Sequence, residues 1–295
     1  MDIYSHKDAN VRKTWFLFVV FLGFILALGW GLSYYYGNFL ILYVAVIVSI
    51  VMNVGSYWFS DKIVLALAGA RPVSRDENKD VWNVVENLSI TAGLPMPKVY
   101  IIDDAVPNAF ATGRNVQHAV VAVTSGLLTL LSRSELEGVI AHELSHIGNR
   151  DMLLSTAAVV LVGFVTLLSD FFLRTTGFSR GRERRLPPVV MILGLVLVIL
   201  SPIIASLLRL AISRKREFLA DASGVLLTRF PEGLASALEK ISAASAPMRR
   251  ANHATAHLYI SDPFGLHEKQ STLTRLFMTH PPIEERIAVL RGSHS

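Results

Sequence analysis

The chain has 295 residues, of which 52% are hydrophobic and 17% are charged, and its formal net charge is +5. A mean hydropathy of +0.46 is too apolar for an ordinary soluble enzyme, and the excess is concentrated in a few segments. The absence of cysteine excludes disulfides and cysteine-ligated metal sites, and it fits a domain in a reducing compartment. No basic face with interleaved aromatic residues suggests nucleic acid, so we interpret the positive charge as affinity for a membrane surface.

Four apolar segments carry the excess, and each is about long enough to cross a hydrocarbon core of ~30 Å at 1.5 Å per residue. They are Thr14 to Tyr36, Phe39 to Phe59, Met152 to Leu173 and Val189 to Ile212. The first segment lacks a small-residue cleavage site and is followed almost at once by the second, so we expect a retained hairpin and not a cleaved signal. Charges border the third and fourth segments. A hairpin that only dips into the bilayer is therefore the alternative to a spanning pair, which we favour.

Two polar blocks separate or follow these segments, and they differ in their predicted secondary structure. Within residues 60–150 we predict a helix near Val81 to Ala92 and strands at Lys98 to Ile102 and near Ala119 to Thr124. Residues 213–295 are predicted to be mostly helical, with a loop from about Ser245 to Gln270.

The run His-Glu-Leu-Ser-His at 142–146 is the most informative motif of the chain. Positions i and i+4 lie on one face of a helix, so His142 and His146 can bind one metal ion while Glu143 points at a water bound to that ion. A chance match is the alternative, but the context favours a helix, because serines just before the run can cap it and apolar residues recur at helical spacing. The motif predicts a metal-hydrolase site with one Zn2+ per chain and Glu143 as the base.

A tetrahedral catalytic zinc site takes three protein ligands and an open position for water, so a third ligand is needed downstream. Glu217 is the best candidate, because Asp221 lies one helical turn further on and could accept the second ring N–H of a ligand histidine. Taken alone, Glu217 would more simply be an ion-pair partner in a basic surface run. His253 and His257 also stand at i and i+4, but their segment lacks helical periodicity and is predicted to be a mobile loop.

The order of these candidates along the chain constrains the topology. His146 lies just before the third apolar segment and Glu217 just after the fourth, so the hairpin between them must start and end on one side of the membrane if both bind one ion. Many basic residues fall on that side, which predicts a multi-pass protein of the cell membrane with its catalytic domain in the cytoplasm. The loop 174–185 opposes this prediction. Its charged residues are Glu183 and five arginines, Arg174, Arg180, Arg182, Arg184 and Arg185, which either cross the bilayer or meet lipid phosphates.

Further motifs surround the candidates. The stretch Pro-Asn-Ala-Phe-Ala-Thr-Gly ends at Gly113, Asp151 closes an extended His-Glu-Leu-Ser-His-Ile-x-Asn-x-Asp motif, and Thr-His-Pro-Pro at 279–282 precedes Arg286. Together with Glu-Phe-Leu-Ala-Asp at 217–221 and the apolar segments, they resemble HtpX, a family of membrane-bound zinc metalloproteases of bacteria and archaea related to the CAAX prenyl endopeptidases. The likeness covers nearly the whole chain, but the arginine-rich loop matches no family feature.

The resemblance implies an activity and a set of roles. The activity is hydrolysis of peptide bonds in damaged or misfolded membrane proteins, often under stress, so the implied partners are membrane-protein or unfolded polypeptides and the lipid bilayer. The implied roles are zinc ligand for His142, His146 and Glu217, catalytic base for Glu143, transition-state contact for His280 and Arg286, and binding of extended substrate for the strand at Asn108 and Ala109. An exposed edge strand would pair with peptide backbone and so accept many sequences. From the residues alone, His280 could belong to a helix-start turn and Asn108 could be only a turn residue.

These features together predict an α-helical membrane protein with four transmembrane helices and a mainly α (α+β) cytosolic zinc-metalloprotease domain, gluzincin-like, that carries a small β-sheet. The predicted parts are an N-terminal transmembrane hairpin at 1–60, a protease domain at 61–151 and 213–295, and a second transmembrane hairpin at 152–212 inserted in that domain. Because the candidate ligands come from both polar blocks, the two blocks should fold as one domain.

Two other classes of function compete with a zinc metalloendopeptidase. A catalytically silent membrane scaffold could keep a structural metal, but a structural site has no need of the carboxylate of Glu143. A prenyl-protein endopeptidase would use the same chemistry on lipidated substrates, but four predicted spans do not suffice for the large multi-span chamber of that group. The sequence therefore favours the metalloendopeptidase.

Overall fold

The computed structural model describes residues 3–161, 214–244, 246–252, 254–265 and 281–292. The fourth apolar segment, the rest of the third, the arginine-rich loop 174–185 and the candidates His253 and His280 lie outside the described residues. The helices are α1 Ile3–Tyr36, α2 Leu40–Ala68, α3 Lys79–Ala92, α4 Ser125–Leu130, α5 Arg133–Gly148, α6 Asp151–Leu161, α7 Arg214–Thr228, α8 Pro231–Ala243 and α9 Ile283–Leu290. The strands are β1 Ala70–Pro72, β2 Lys98–Ile102, β3 Ala109–Thr112 and β4 Val120–Thr124, and short 3-10 turns cover Val116–His118 and Ala256–Leu258.

Helices α1 and α2 form a hairpin that turns at Gly37. In the described part of the chain they are the two helices long and apolar enough to cross a membrane. Large aromatic side chains are exposed at both ends of the hairpin, with Trp15 and Trp30 on α1 and Tyr43 and Trp58 on α2. On each helix the two aromatics are fifteen positions apart (30 minus 15, 58 minus 43), a rise of about 22 Å. This rise is shorter than a hydrocarbon core of ~30 Å, but exposed Trp and Tyr side chains toward the ends of apolar helices are typical of membrane interfaces.

Both helices are longer than the apolar segments that predicted them, because hydropathy marks only the part of a helix suited to lipid. Helix α2 continues past Phe59 to Ala68, where Gly69 ends it in the left-handed region at φ 67°. The two helices lie close together where a Cβ at Gly29 would collide with the side chain of Ala45. Small residues of this kind allow membrane helices to approach each other.

The sheet has four strands in the order β1-β2-β4-β3. Strands β2 and β4 are parallel, with Lys98 opposite Val120, and these are the two strands that the sequence predicted. The outer strands β1 and β3 pair antiparallel to their neighbours. Strand β1 is only three residues long and contains a proline, which explains why no sequence pattern indicated it.

Helix α5 runs through the middle of the protein domain. It packs against α3, α7, α8 and β3, so that Val139, Ile140 and Leu144 are fully buried. A helix enclosed on all sides has little amphipathic periodicity, so its sequence does not indicate which face packs against which neighbour. Helix α7 comes especially close, because a Cβ at Gly224 would lie 3.0 Å from the backbone nitrogen of His142. The enclosure brings α7 against the face that carries the histidines.

Helix α6 follows α5 and runs beside the N-terminal hairpin. Its described residues begin the third predicted apolar segment and form a hydrophobic cluster with α1, made of Leu17, Phe18, Phe21, Ile25, Leu154, Ala157, Ala158 and Leu161. This cluster fixes the start of α1 next to the end of α5.

Candidate metal centre

Helices α5 and α7 bring three potential metal ligands together. The Nε2 atoms of His142 and His146 are 3.2 Å apart, and the carboxylate oxygens of Glu217 lie 3.8 Å from the first and 3.7 Å from the second. In the described part of the chain, these residues are the one cluster of three or more His, Cys, Asp or Glu side chains that could hold an ion, with their ligand atoms within 4.8 Å of one another.

The spacing and chemistry of this donor set fit a tetrahedral ion. An ion with bonds of ~2.0–2.1 Å in tetrahedral geometry separates its ligand atoms by about 3.4 Å, which is close to the three separations in the cluster. Two imidazole nitrogens and one carboxylate leave the fourth position open, as in catalytic sites and unlike closed structural ones. The side chains of His142 and Glu217 are buried, which favours a site built for a specific ligand.

The second ring nitrogen of each histidine faces a carboxylate. The Nδ1 atom of His142 lies 2.8 Å from Asp221, whose two oxygens accept hydrogen bonds of 2.6 and 2.9 Å from the guanidinium of Arg286. The Nδ1 atom of His146 lies 3.2 Å from Asp151. A carboxylate only accepts hydrogen bonds, so Nδ1 of each ring carries a proton and the Nε2 atoms face the cluster, where they would bind an ion as neutral rings.

The charges around the cluster shift several pKa values. Burial lowers the pKa of His146, but the hydrogen bond to Asp151 and the charges of Glu217, Asp151 and Glu143 outweigh burial and raise it to about 9. Burial raises the pKa of Asp221, but Arg286 and His142 outweigh burial and lower it to about 2. A cation between His146 and Glu217 would favour the neutral ring, so metal binding at this site releases a proton.

Glu143 does not belong to the ligand cluster but lies beside it. Together with Ala111, His146 and Glu217 it lines a small pocket. Burial raises the pKa of Glu143 and outweighs the opposite effect of the neighbouring histidines. A carboxylate with a raised pKa next to a metal site can both take up and return a proton.

The N terminus of α5 is anchored to α8 through Glu135. Its carboxylate accepts hydrogen bonds from the backbone N–H of Ser132 (2.7 Å), from Ser236 (2.6 Å) and from Lys240 (2.8 Å). Burial raises the pKa of Glu135, but these hydrogen bonds outweigh burial and lower it to about 2. This anchor, together with the helix-capping contact to Ser132, holds the helix that carries both histidines.

Asn108 and Ala109 do not lie on an open strand edge, contrary to the expectation of an exposed substrate strand there. Both residues are buried. The Asn108 side chain donates to the carbonyl of Ser261 (2.9 Å) and accepts from its N–H (3.2 Å), while the carbonyl of Ala109 accepts from Ile260 (2.9 Å). The segment around residue 260 therefore covers the beginning of β3. The Asn108 side-chain amide bonds to the backbone of this segment as a neighbouring strand would.

The remaining candidates have separate locations. Arg286 is fully buried next to His142 and contacts Asp221, and its expected contact with the transition state stays a prediction. His257 lines the pocket and lies 3.3 Å from the carbonyl of Ser155, outside the three-residue cluster. Its proposed partner His253 and the candidate His280 lie outside the described residues.

Sequence reasoning missed the contact that supports Asp151. The side-chain amide of Asn10, near the start of α1, donates a hydrogen bond of 2.5 Å to Asp151. The role of Asp151 had a weak signal, since it is a carboxylate that follows His146 by five positions. No sequence signal pointed to Asn10, because 141 positions separate it from its partner.

Comparison with known proteins agrees with this geometry. The model of Peptidase family M48 matches residues 75–294. A protein named Protease HtpX homolog from Dictyoglomus turgidum is 46% identical over 289 residues, which cover 98% of this chain and 94% of that protein. Another of the same name, from Tropheryma whipplei, is 46% identical over 293 residues and 98% of each chain is covered.

Among solved structures, the crystal structure of S. mikatae Ste24p is similar to this one with a TM-score of 0.51. The alignment covers 97% of this chain and 67% of that chain, with 18% sequence identity, so the likeness concerns the fold alone. The family match includes α5, α7 and α9, which carry the cluster and its support. The relationship predicted from the motifs is thereby confirmed: the chain belongs to peptidase family M48, among the HtpX proteases, and is a membrane-associated metalloprotease.

Proposed function

We propose that this chain is a zinc-dependent endopeptidase of the cell membrane that hydrolyses peptide bonds in damaged or misfolded membrane proteins. The observation that carries the proposal is the convergence of His142, His146 and Glu217, next to a pocket that Glu143 lines together with His146 and Glu217. The arrangement supports catalysis more than storage of a structural metal, because the donor set is open and a buried acid stands next to it.

The three ligand candidates and Glu143 have roles that their chemistry supports. His142, His146 and Glu217 would hold zinc. When bound, zinc supplies a Lewis acid that lowers the pKa of a coordinated water toward 7 and polarises the scissile carbonyl. Glu143 accepts the proton of the attacking water and returns it to the leaving amine, and its raised pKa favours the return.

Arg286 and Asp221 support this reaction from behind the ligands. Arg286 holds Asp221 with two hydrogen bonds, and Asp221 in turn orients His142. Arg286 thus acts through the ligand shell. For His280 the resemblance to HtpX motifs remains the basis for a role in stabilising the transition state, since a cation or hydrogen-bond donor near a developing oxyanion is most effective in a water-poor site.

The backbone of β3 offers a place for substrate beyond its covered start. The hydrogen bond of 2.9 Å from Thr124 N–H to the Asn108 carbonyl fixes the alternation, so the backbone groups of Ala109 and Ala111 point away from β4. The carbonyl of Ala109 already accepts a hydrogen bond from the N–H of Ile260. Ala111 lines the pocket beside Glu143. An extended peptide that pairs with Ala111 would place its backbone next to the base, without selecting side chains.

The membrane part of the proposal includes four transmembrane helices, with the second hairpin at 152–212 inserted between the two halves of a cytosolic domain. It is supported by the exposed apolar surface of α1 and α2, by the exposed aromatic side chains toward the ends of these helices, and by the start of α6 alongside α1. The bilayer would then deliver unfolded membrane segments directly to the pocket.

The first prediction tests the base. Glu143→Gln keeps the shape of the side chain but removes its basicity, so cleavage of casein by the detergent-purified chain should fall by roughly 10²–10⁴-fold while zinc content stays near that of the native protein. Glu137→Gln is the matched control, because Glu137 lies on the same helix but pairs with Arg133 at the surface. Substantial cleavage by the Glu143 variant would refute the assignment.

The same assay separates the competing functions. A scaffold with a structural metal would bind zinc but cleave nothing, and chelator would change only its stability. A prenyl-protein endopeptidase would cleave a farnesylated peptide. It would leave intact both casein and the same peptide without the farnesyl group. Chelator-sensitive casein cleavage supports the broad endopeptidase proposed here.

A further inference from the structure

The first membrane helix reaches into the surroundings of the candidate metal centre through one side chain. Asn10 is 4% exposed, although it lies on a helix that is otherwise apolar for most of its length. Its amide donates to Asp151 Oδ1 at 2.5 Å and to the backbone carbonyl of Asn149 at 3.3 Å. Because burying an amide without partners is costly, these two contacts account for its place there.

Asp151 divides its two oxygens between the membrane helix and the ligand. Oδ2 faces Nδ1 of His146 at 3.2 Å, whereas Oδ1 faces Asn10 and, at 3.7 Å, the guanidinium of Arg216. Without the short contact to Asn10, the carboxylate is free to rotate toward Arg216. A rotation of that kind would weaken the hydrogen bond that fixes the proton of His146 on Nδ1.

Asn53, on the second helix of the hairpin, shows what an ordinary helix asparagine does. Asn53 on α2 donates to the carbonyl of Ser49, one turn earlier on its own helix, at 3.0 Å. Asn10 instead bonds to residues 139 and 141 positions away. The packing of α1 on α6 holds it at this spot, because the cluster around Phe18 and Ala158 lies directly beyond it.

From this geometry we propose that Asn10 is a positioning residue of the metal centre, which orients the ligand His146 through Asp151. The first membrane helix is thereby a part of the active site and not only an anchor. The inference rests on the proposed zinc-dependent function, and it concerns how tightly and in what geometry the ion is held.

The test uses the full chain in detergent with zinc alone and cobalt alone as probes. Asn10→Leu fits an apolar helix and removes both hydrogen bonds, so zinc affinity measured by chelator competition should fall on the order of 10–100-fold, and the visible spectrum of the cobalt form should change. Asn53→Leu is the matched control, since it removes an amide of the same hairpin whose hydrogen bond stays within its own helix, and both readouts should stay unchanged. Native zinc affinity and cobalt spectrum in the Asn10 variant would overturn the proposal.

A swap keeps the test decisive if Asn10→Leu disturbs folding. Asn10→Asp alone places two carboxylates together and should weaken zinc binding. Asn10→Asp combined with Asp151→Asn restores a hydrogen bond with donor and acceptor exchanged, and the amide oxygen introduced at 151 can still accept from His146. Recovery to within about fivefold of native affinity supports direct contact, whereas losses that simply add refute it. A native chain that neither binds zinc nor cleaves casein would overturn the proposed function as well.

Discussion

The two histidines of α5 lie one helical turn apart, yet their supports come from different parts of the molecule. His142 is held by Asp221 and Arg286, an ion pair contained within the protease domain. His146 is held by Asp151, whose nearest partner is a neutral amide on the first membrane helix, with the guanidinium of Arg216 further away at 3.7 Å. The side chain of His142 is 1% exposed and that of His146 is 17% exposed, so the ion pair supports the more deeply buried ring.

The difference indicates a division of labour within one site. The support of His142 depends only on folding of the domain, and Arg286 keeps the pKa of Asp221 low enough for the carboxylate to stay charged throughout the physiological range. The support of His146 also depends on the place of α1 against α6. Conditions that loosen the membrane hairpin should therefore reach the ion through His146 while His142 stays fixed.

The largest effect on metal binding is expected from Glu217, the residue that both histidines share. Glu217 faces both histidines, so Glu217→Ala should abolish zinc binding and proteolysis together, with a loss of affinity beyond the roughly 10–100-fold expected from a supporting residue. Zinc content by metal analysis and casein cleavage measure this. The double change His253→Ala, His257→Ala is the control and should retain zinc, because His257 lies outside the cluster. The reverse pattern would move the third ligand to that loop.

Arg286 should show the next largest effect, because it supports His142 from a fully buried position. Removing one partner of a buried ion pair leaves the other charge without compensation, so Arg286→Met should lower the free energy of unfolding by about 3–5 kcal/mol. Thermal unfolding in detergent measures the change. Arg291→Met is the matched control, since Arg291 pairs with Glu232 and Glu239 at the surface, where solvent screens the charges, and this substitution should cost about 1 kcal/mol or less. Equal effects of the two substitutions would mean that the supports do not differ as described.

The contrast also shows what the sequence could predict. Helix α5 and the two ligand histidines follow from local spacing, and strands β2 and β4 from local composition, because each of these signals lies within a few residues. Asp221 was predicted as a partner of a ligand histidine because it is one turn from Glu217, and the structure places it at His142. A local signal was therefore enough to identify Asp221 of α7 as the residue that supports His142.

The parts that sequence did not predict are those that depend on packing between distant elements. Asn10 has no local pattern that points to Asp151, and the cover of Asn108 by Ser261 depends on a loop 153 positions away. The position of Arg286 behind His142 likewise follows from the docking of α9 on α7 and α8. Contacts of this kind are set by the folded core and not by propensity.

The smallest effect on the metal centre should come from Glu135, which lies on α5 ahead of both histidines and supports neither. Its folded pKa of about 2 is below the ordinary value of 4.5, so its carboxylate contributes stability that is fully present above pH ~4.5 and is lost as the pH falls toward 2. Glu135→Gln keeps one acceptor oxygen for the Ser132 N–H, and its NH2 group can donate to the Ser236 hydroxyl, but it loses the charge that Lys240 pairs with. It should therefore lower the free energy of unfolding by about 1–2 kcal/mol at pH 7, with a difference from the native chain that shrinks below pH ~4.5. Thermal unfolding across this pH range measures the effect, with Glu137→Gln as an exposed control on the same helix.

Zinc affinity at pH 7 should stay native in both variants, because Glu135 anchors the helix as a whole. A selective loss of zinc affinity in the Glu135 variant would show that the N-terminal anchor of α5, and not the two carboxylate supports, sets the geometry of the histidines.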